Sequence, residues 1–311
     1  MNKEAQHPYL EILPRHLFFS TLPSGDHEFS CLVLLNQSLL SPETMVQWRV
    51  ADPHSHATQL ACRRYLTSAE HSTGRISVAA TLPPSWPISH LHLELDTTTG
   101  SYCQVWTIAH YQQTEEFQLP LSGQVLVLNG HRIGETHRAA WQVPAQQLAW
   151  DLLPLHPDGL RLLNEPLSEP LQATMFSGFG QDVLAPAAGK VVQAIDQFPD
   201  GIQAGAYPQD LAFYLEDVRR AAGNHIILDH GGAVFSCLAH LQHHSIGVQE
   251  HQEVSAGQRI GAVGNSGFTS GPHVHMHFMD GPDMLTASAL PIQLHVEGST
   301  FTPQAGQIIG A

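Results

Sequence analysis

The chain has 311 residues, 42% of them hydrophobic and only 13% charged. Its 13 Lys and Arg stand against 28 Asp and Glu, a formal net charge of −15. That balance excludes the basic footprint that nucleic acid or an anionic membrane surface requires, and it gives no long-range attraction to an anionic polymer.

The length suggests about two domains. The opening MNKEAQHPYLEILPRHLFF has no long apolar run behind a basic start, so neither a signal peptide nor a membrane span is expected. From Pro8 to His110, short apolar runs alternate with turn residues. FSCLVLLN, MVQWRVAD, RISVAATLP, LHLELDT and SYCQVWTIAHY read as strands. Their spacing and punctuation predict a β-sandwich of immunoglobulin-like type over residues 1–115. TEEFQLPLSG (114–123) reads as a linker into a second domain, 116–311.

The second domain is also strand-rich. VLAPAAGKVVQAID, GNHIILDHG, VFSCLAHL and RIGAVGNSG are β-branched runs broken by glycine. One helix is predicted over PQDLAFYLEDVRRAAG (208–223), with Pro208 at its start and Gly223 as its C-cap. Leu211, Tyr214, Leu215 and Val218 would form its apolar stripe. The fold class expected for the whole chain is therefore mainly β, with one inserted helix.

Cys31, Cys62, Cys103 and Cys237 are far apart and form no CxxC, which argues for reduced thiols rather than a thiolate zinc site. Histidine is abundant, at 22 residues, so only clustered histidines carry information. PHVHMH places His273, His275 and His277 at alternate positions, on one face if the segment is a strand. Neutral imidazole is a common zinc ligand. A polar strand face is the plainer reading of such a pattern, and it is the one given to HLHLE at 90–94.

Three further segments stand in order around that cluster: GNHIILDHGGAVFSCLAHL (223–241), SIGVQEHQEVSAGQRIGAVGNSG (245–267) and GPHVHMHF (271–278). Over about 55 residues this series resembles the lysostaphin-like zinc metallo-endopeptidases, which cleave peptide bonds in peptidoglycan. Glu250-His251 departs from the Gly-Asp usual there. The resemblance implies a duplicated hybrid motif fold, an antiparallel β groove domain. It implies a Zn2+ cofactor, His275 as a metal ligand, and His240 and His273 as the two catalytic histidines that are not ligands. His277 falls where the family often has Glu or Gln, and is expected beside the site or on the surface.

The resemblance implies two further ligands, a His and an Asp in an upstream element. Asp182 in GFGQDVLAP is tempting, but Gly178 stands four residues before it where a His is needed. The longer register, with His137 and Asp151 in THRAAWQVPAQQLAWDL, is preferred, and His156 is a rival. Asp182 is then a turn residue. Three protein ligands and one open position suit a catalytic zinc.

The implied activity is zinc-dependent hydrolysis of peptide bonds in peptidoglycan cross-links or stem peptides. Of the two catalytic histidines, His273 is favoured as the base because it neighbours a ligand. The substrate class suggests the cell envelope or secretion. A catalytically inactive relative acting as an activator of cell-wall enzymes is the alternative. A lipoyl-type carrier would need a lysine at a hairpin tip, and Lys190 instead enters a strand. The stretch 196–223 is read as a wall or lid beside the groove, or else as a peripheral excursion.

Overall fold

The computed structural model describes all residues except 1–9, 14–15, 22–23, 25, 42, 53–57, 86–87, 99, 133–135, 140–142, 160 and 165–169. Much of the stretch read for a leader lies outside them. The chain divides into two compact units, one ending at Gln112 and one beginning at Gln113. Both are mainly β.

The first unit holds β1 (Leu10–Leu13), β2 (Leu17–Thr21), β3 (His27–Leu35), β4 (Met45–Ala51), β5 (Thr58–Tyr65), β6 (Arg75–Leu82), β7 (Ile88–Thr97) and β8 (Gly100–His110). The strands run in the order β1-β3-β2-β8-β7-β4-β5, with β6 paired to β3. In β6 every second residue is buried, the period of two expected of a strand with one wet face. Its Ile76, Val78, Ala80 and Leu82 join Cys31 and Val33 of β3 and Leu91, Leu93 and Leu95 of β7 in one core. A short helix, α1 (Ser68–Thr73), starts on a capping box between Thr67 and Glu70 and stops at Gly74, which is left-handed. All four cysteines of the chain are free.

The second unit holds β9 (Phe117–Gln118), β10 (Val125–Asn129), β11 (Trp150–Pro154), β12 (Asp182–Leu184), β13 (Gly189–Ile195), β14 (Asn224–Asp229), β15 (Phe235–Leu241), β16 (Glu253–Val254), β17 (Arg259–Ala262), β18 (Val274–Met279), β19 (Leu294–Val296), β20 (Ser299–Phe301) and β21 (Ile308–Ile309). Eight of these make one sheet, in the order β16-β13-β14-β15-β18-β11-β10-β21. The strands at its centre are buried on both faces: all six residues of β18 and six of seven in β15 are buried. Beside the site, on the same face of the sheet, Ile227, Cys237 and Ala239 pack with Val143, Ala145 and Met284.

Three expectations need correction. The supposed linker is part of the fold, because Phe117 is fully buried and β9 pairs in parallel with β19. The helix over 208–223 is broken. α2 covers only Leu211–Glu216, and a 3-10 turn follows over Val218–Ala222. Asp217 is the reason: it is extended, and its carboxylate accepts from the Arg219 amide, which starts the turn afresh. The apolar stripe does not pack as one, since Leu211 and Leu215 are 52% and 67% exposed. Asp182 is the first residue of β12 rather than a turn residue. Its carboxylate accepts from Arg259 Nε at 2.6 Å.

Among the described residues no helix is long and apolar enough to cross a membrane.

Candidate metal centre

Strand register assembles the site. Asn129 of β10 stands opposite Asp151 of β11, Asp151 opposite His275 of β18, and His275 opposite Ala239 of β15. Residues opposite one another on neighbouring strands face the same side of a sheet, so Asn129, Asp151 and His275 share one surface. His277, two residues along β18, shares it too. His137 reaches the same point from the 3-10 turn Thr136–Ala139.

Asp151 lies at the centre and is 6% exposed. Its Oδ1 is 3.1 Å from His275 Nδ1 and 3.3 Å from His273 Nε2. Its Oδ2 is 3.0 Å from His137 Nε2 and accepts from Asn129 Nδ2 at 2.6 Å. One ligand atom each from His137, Asp151 and His275 lie within 4.8 Å of one another. Two imidazoles and a carboxylate so gathered are a donor set suited to a tetrahedral zinc with one open position. The cluster also borders two cavities, so a fourth ligand has room to approach.

His240 and His273 flank this group, with ring centres 4.8 Å apart. Each is locked through Nδ1. His240 Nδ1–H donates to Ser266 O and His273 Nδ1–H to Gly271 O, both at 2.8 Å. The Nε2 of His240 is thereby left for chemistry, while that of His273 lies 3.3 Å from Asp151 Oδ1. His240 carries a positive φ of 61°, a region costly for a residue with a Cβ. Strain of that kind persists where surrounding structure imposes it, often at functional sites. On a regular strand His240 would face away from Ala239. The left-handed turn and the neighbouring bulge in the β14–β15 pairing place its ring 5.8 Å from that of His275.

The electrostatics follow from burial around one carboxylate. Burial opposes ionisation of Asp151, but its charge interaction with His273 and its bonds to His137, His273 and His275 outweigh this and hold it well below the usual carboxylate range. Burial lowers His275 to about 4 despite its bond to Asp151. Burial and the neighbouring imidazoles of His273 and His275 push His240 well below its ordinary value. His273 moves the other way. Burial would lower it, but the charge and hydrogen bond of Asp151 raise it.

The two cavities meet at His137, Tyr207, His240 and Phe268. One, of about 250 Å³, is walled by Val143, Val218, Ala222 and Met284, with no Asp, Glu, Lys or Arg among the described residues of its lining. The other, of about 240 Å³, is lined by Leu128, Phe176 and the loop Thr269–Pro272. Tyr207 stacks on Phe268, centres 5.0 Å apart, where the cavities join.

The structure thus brings His137, Asp151, His240, His273 and His275 together. Asp182 and His156 stand apart from that group, Asp182 on Arg259 and His156 on Asp158 and Arg161. Sequence reasoning missed Asn129, whose only signal is the strand register that sets it opposite Asp151. It also left open a surface position for His277, which is 2% exposed.

Residues 172–286 match Peptidase family M23. A 54-residue stretch is 44% identical to the peptidoglycan DD-endopeptidase ShyA of Vibrio cholerae, covering 17% of this chain and 12% of that relative. Among solved structures, a zinc-containing peptidase from Vibrio cholerae aligns over 91% of this chain and 86% of its own at 13% identity, with a TM-score of 0.31. The catalytic domain of lysostaphin from Staphylococcus simulans aligns over 41% and 84% at 24% identity, with a TM-score of 0.26. His240, His273 and His275 fall inside the family match, while His137 and Asp151 precede it.

Proposed function

Because residues 172–286 carry a domain of peptidase family M23, we propose that the protein is a zinc-dependent endopeptidase acting on peptide bonds of peptidoglycan cross-links or stem peptides. The observation that supports this most is the convergence of His137, Asp151 and His275, with ligand atoms within 4.8 Å, beside two histidines each held through Nδ1. These three residues would hold the zinc. When bound, a zinc there would supply a Lewis acid for the scissile carbonyl and lower the pKa of a water towards about 7.

The chain's own residues supply the proton chemistry. His240 keeps its single proton on Nδ1, against Ser266 O, and stays neutral. Its bare Nε2 accepts the proton of the attacking water. His273 is favoured in its protonated form by Asp151, and its Nε2–H donates, first to the charge growing on the carbonyl oxygen and then towards the leaving amine. This assignment reverses the one suggested by chain proximity alone. Asn129 holds Asp151 Oδ2 in place, as hydrogen bonds to ligand carboxylates do. The apolar wall of Val143, Val218, Ala222 and Met284 suits a neutral, small aliphatic residue beside the scissile bond.

The test is digestion of purified muropeptides by the zinc-loaded protein, with products weighed by mass spectrometry. Cleavage with addition of one water to a peptide bond is expected, abolished by a chelator and restored by zinc. No cleavage by a fully zinc-loaded protein would refute the proposal.

A further inference from the structure

We infer that His277 is a positioning residue: its Nδ1, 3.1 Å from His275 Nε2, lets the His275 ring face either Asp151 or a metal without moving. This rests on the reading of His275 as a ligand. The two side chains lie two residues apart on β18, on one face, and both are buried. A neutral imidazole carries one N–H and one bare nitrogen. His275 therefore has two arrangements.

Without metal, His275 Nδ1–H donates to Asp151 Oδ1, and its bare Nε2 accepts from His277 Nδ1–H. A metal on the Asp151 side would need the lone pair of His275 Nδ1, so the His275 proton would lie on Nε2 and that N–H would donate to a bare His277 Nδ1. The change loses one proton from His275 Nδ1. A second passes from His277 Nδ1 to His275 Nε2, and one is taken up at His277 Nε2. Each arrangement holds two protons. His277 Nε2 is buried with no hydrogen-bond partner among the described residues, and it serves as the end that carries or lacks a proton. One polar atom stays unpaired in both arrangements, so exchanging them leaves no additional buried group unsatisfied.

Among side chains, the imidazole is suited to both because it can donate and accept. A carboxylate accepts only, and so supports the metal-bearing arrangement alone. An aliphatic side chain supports neither, and in the metal-free protein it only exchanges one unpaired buried nitrogen, His277 Nε2, for another, His275 Nε2. Orienting bonds of this kind typically contribute 10–100-fold to metal affinity.

The experiment measures the zinc dissociation constant by competition with a chromophoric chelator for wild type, His277→Leu and His277→Glu, together with the melting temperature of each metal-free protein. His277→Leu is expected to weaken zinc about 10–100-fold without lowering the metal-free melting temperature. His277→Glu is expected to bind zinc at least as tightly as wild type. Leu binding as tightly as wild type, or both variants weakening alike with lower melting temperatures, overturns the inference. Imidazole nitrogen NMR of zinc-loaded wild type decides it without a variant: a proton on His275 Nε2 supports it, and zinc bound through Nε2 overturns it. Wild type that binds no zinc is a different failure, that of the metal reading itself.

Discussion

Asp151 sets the character of the site, because one buried carboxylate answers to His137, His273, His275 and Asn129 at once. The surrounding histidines make the metal-free protein sensitive to acid. His275 has a folded value of about 4 against 6.5 unfolded, so between those values the unfolded chain binds a proton that the folded one does not. Stability is therefore full above about 6.5 and falls as pH drops towards 4, by roughly 3 kcal/mol for this group alone at 1.36 kcal/mol per unit. His240 and His277 are lowered in the same direction, and depressed Asp151 extends the loss below 3.8. His273, which is raised, works the other way: its contribution is present at low pH and lost as pH rises through its folded value. Thermal melts of metal-free protein are expected to drop between pH 7 and 4.5; equal melting temperatures would contradict this account of the buried imidazoles. Much of this set was legible in the sequence, since PHVHMH has the strand period and the ordered motifs around it point to His240. Asn129 was not, because it acts through a pairing visible only once β10 and β11 are in register. Nor does any period indicate the left-handed turn at His240.

At the scale of elements, the site depends on a close crossing of two loops. Gly223 closes the turn Val218–Ala222 with φ of 60°, and a Cβ there would meet Ser266 C and O at 2.5 Å. That same Ser266 oxygen accepts from His240 Nδ1, while Ser266 Oγ accepts from the Asn224 amide. Gly223→Ala is expected to destabilise by more than about 1 kcal/mol and to lower kcat with zinc retained, because the Ser266 carbonyl can no longer fix His240. Unchanged kcat would show that the crossing has no part in orienting His240. This region was the least legible stretch of the second unit. The apolar side chains of α2 suggested a helix packed on the core, yet Tyr214 bonds to Gly267 O, and Phe213 lies under the Arg220 guanidinium. They cover a loop and one another, which helical periodicity cannot distinguish from a core. The long strands were legible for the opposite reason: alternation or a continuous apolar run spans each. Phe117 escaped because a two-residue strand has no period to read.

For the whole molecule, the two units differ in what their sequences disclose. The first shows strand alternation and a core, and among its described residues no metal-ligand cluster gathers. The second carries the family match and the histidine cluster. With a net charge of −15, the proposed recognition of peptidoglycan would rest on local contacts at the two cavities rather than on long-range attraction. The central claim is that His137, Asp151 and His275 together hold a zinc ion while His240 does not. Metal content of the purified protein, by mass spectrometry, tests it directly in wild type, His137→Ala and His240→Ala. About one zinc per chain in wild type and in His240→Ala, and loss in His137→Ala, is the expected result. Zinc retained after removal of His137, or lost equally in both variants, would contradict it.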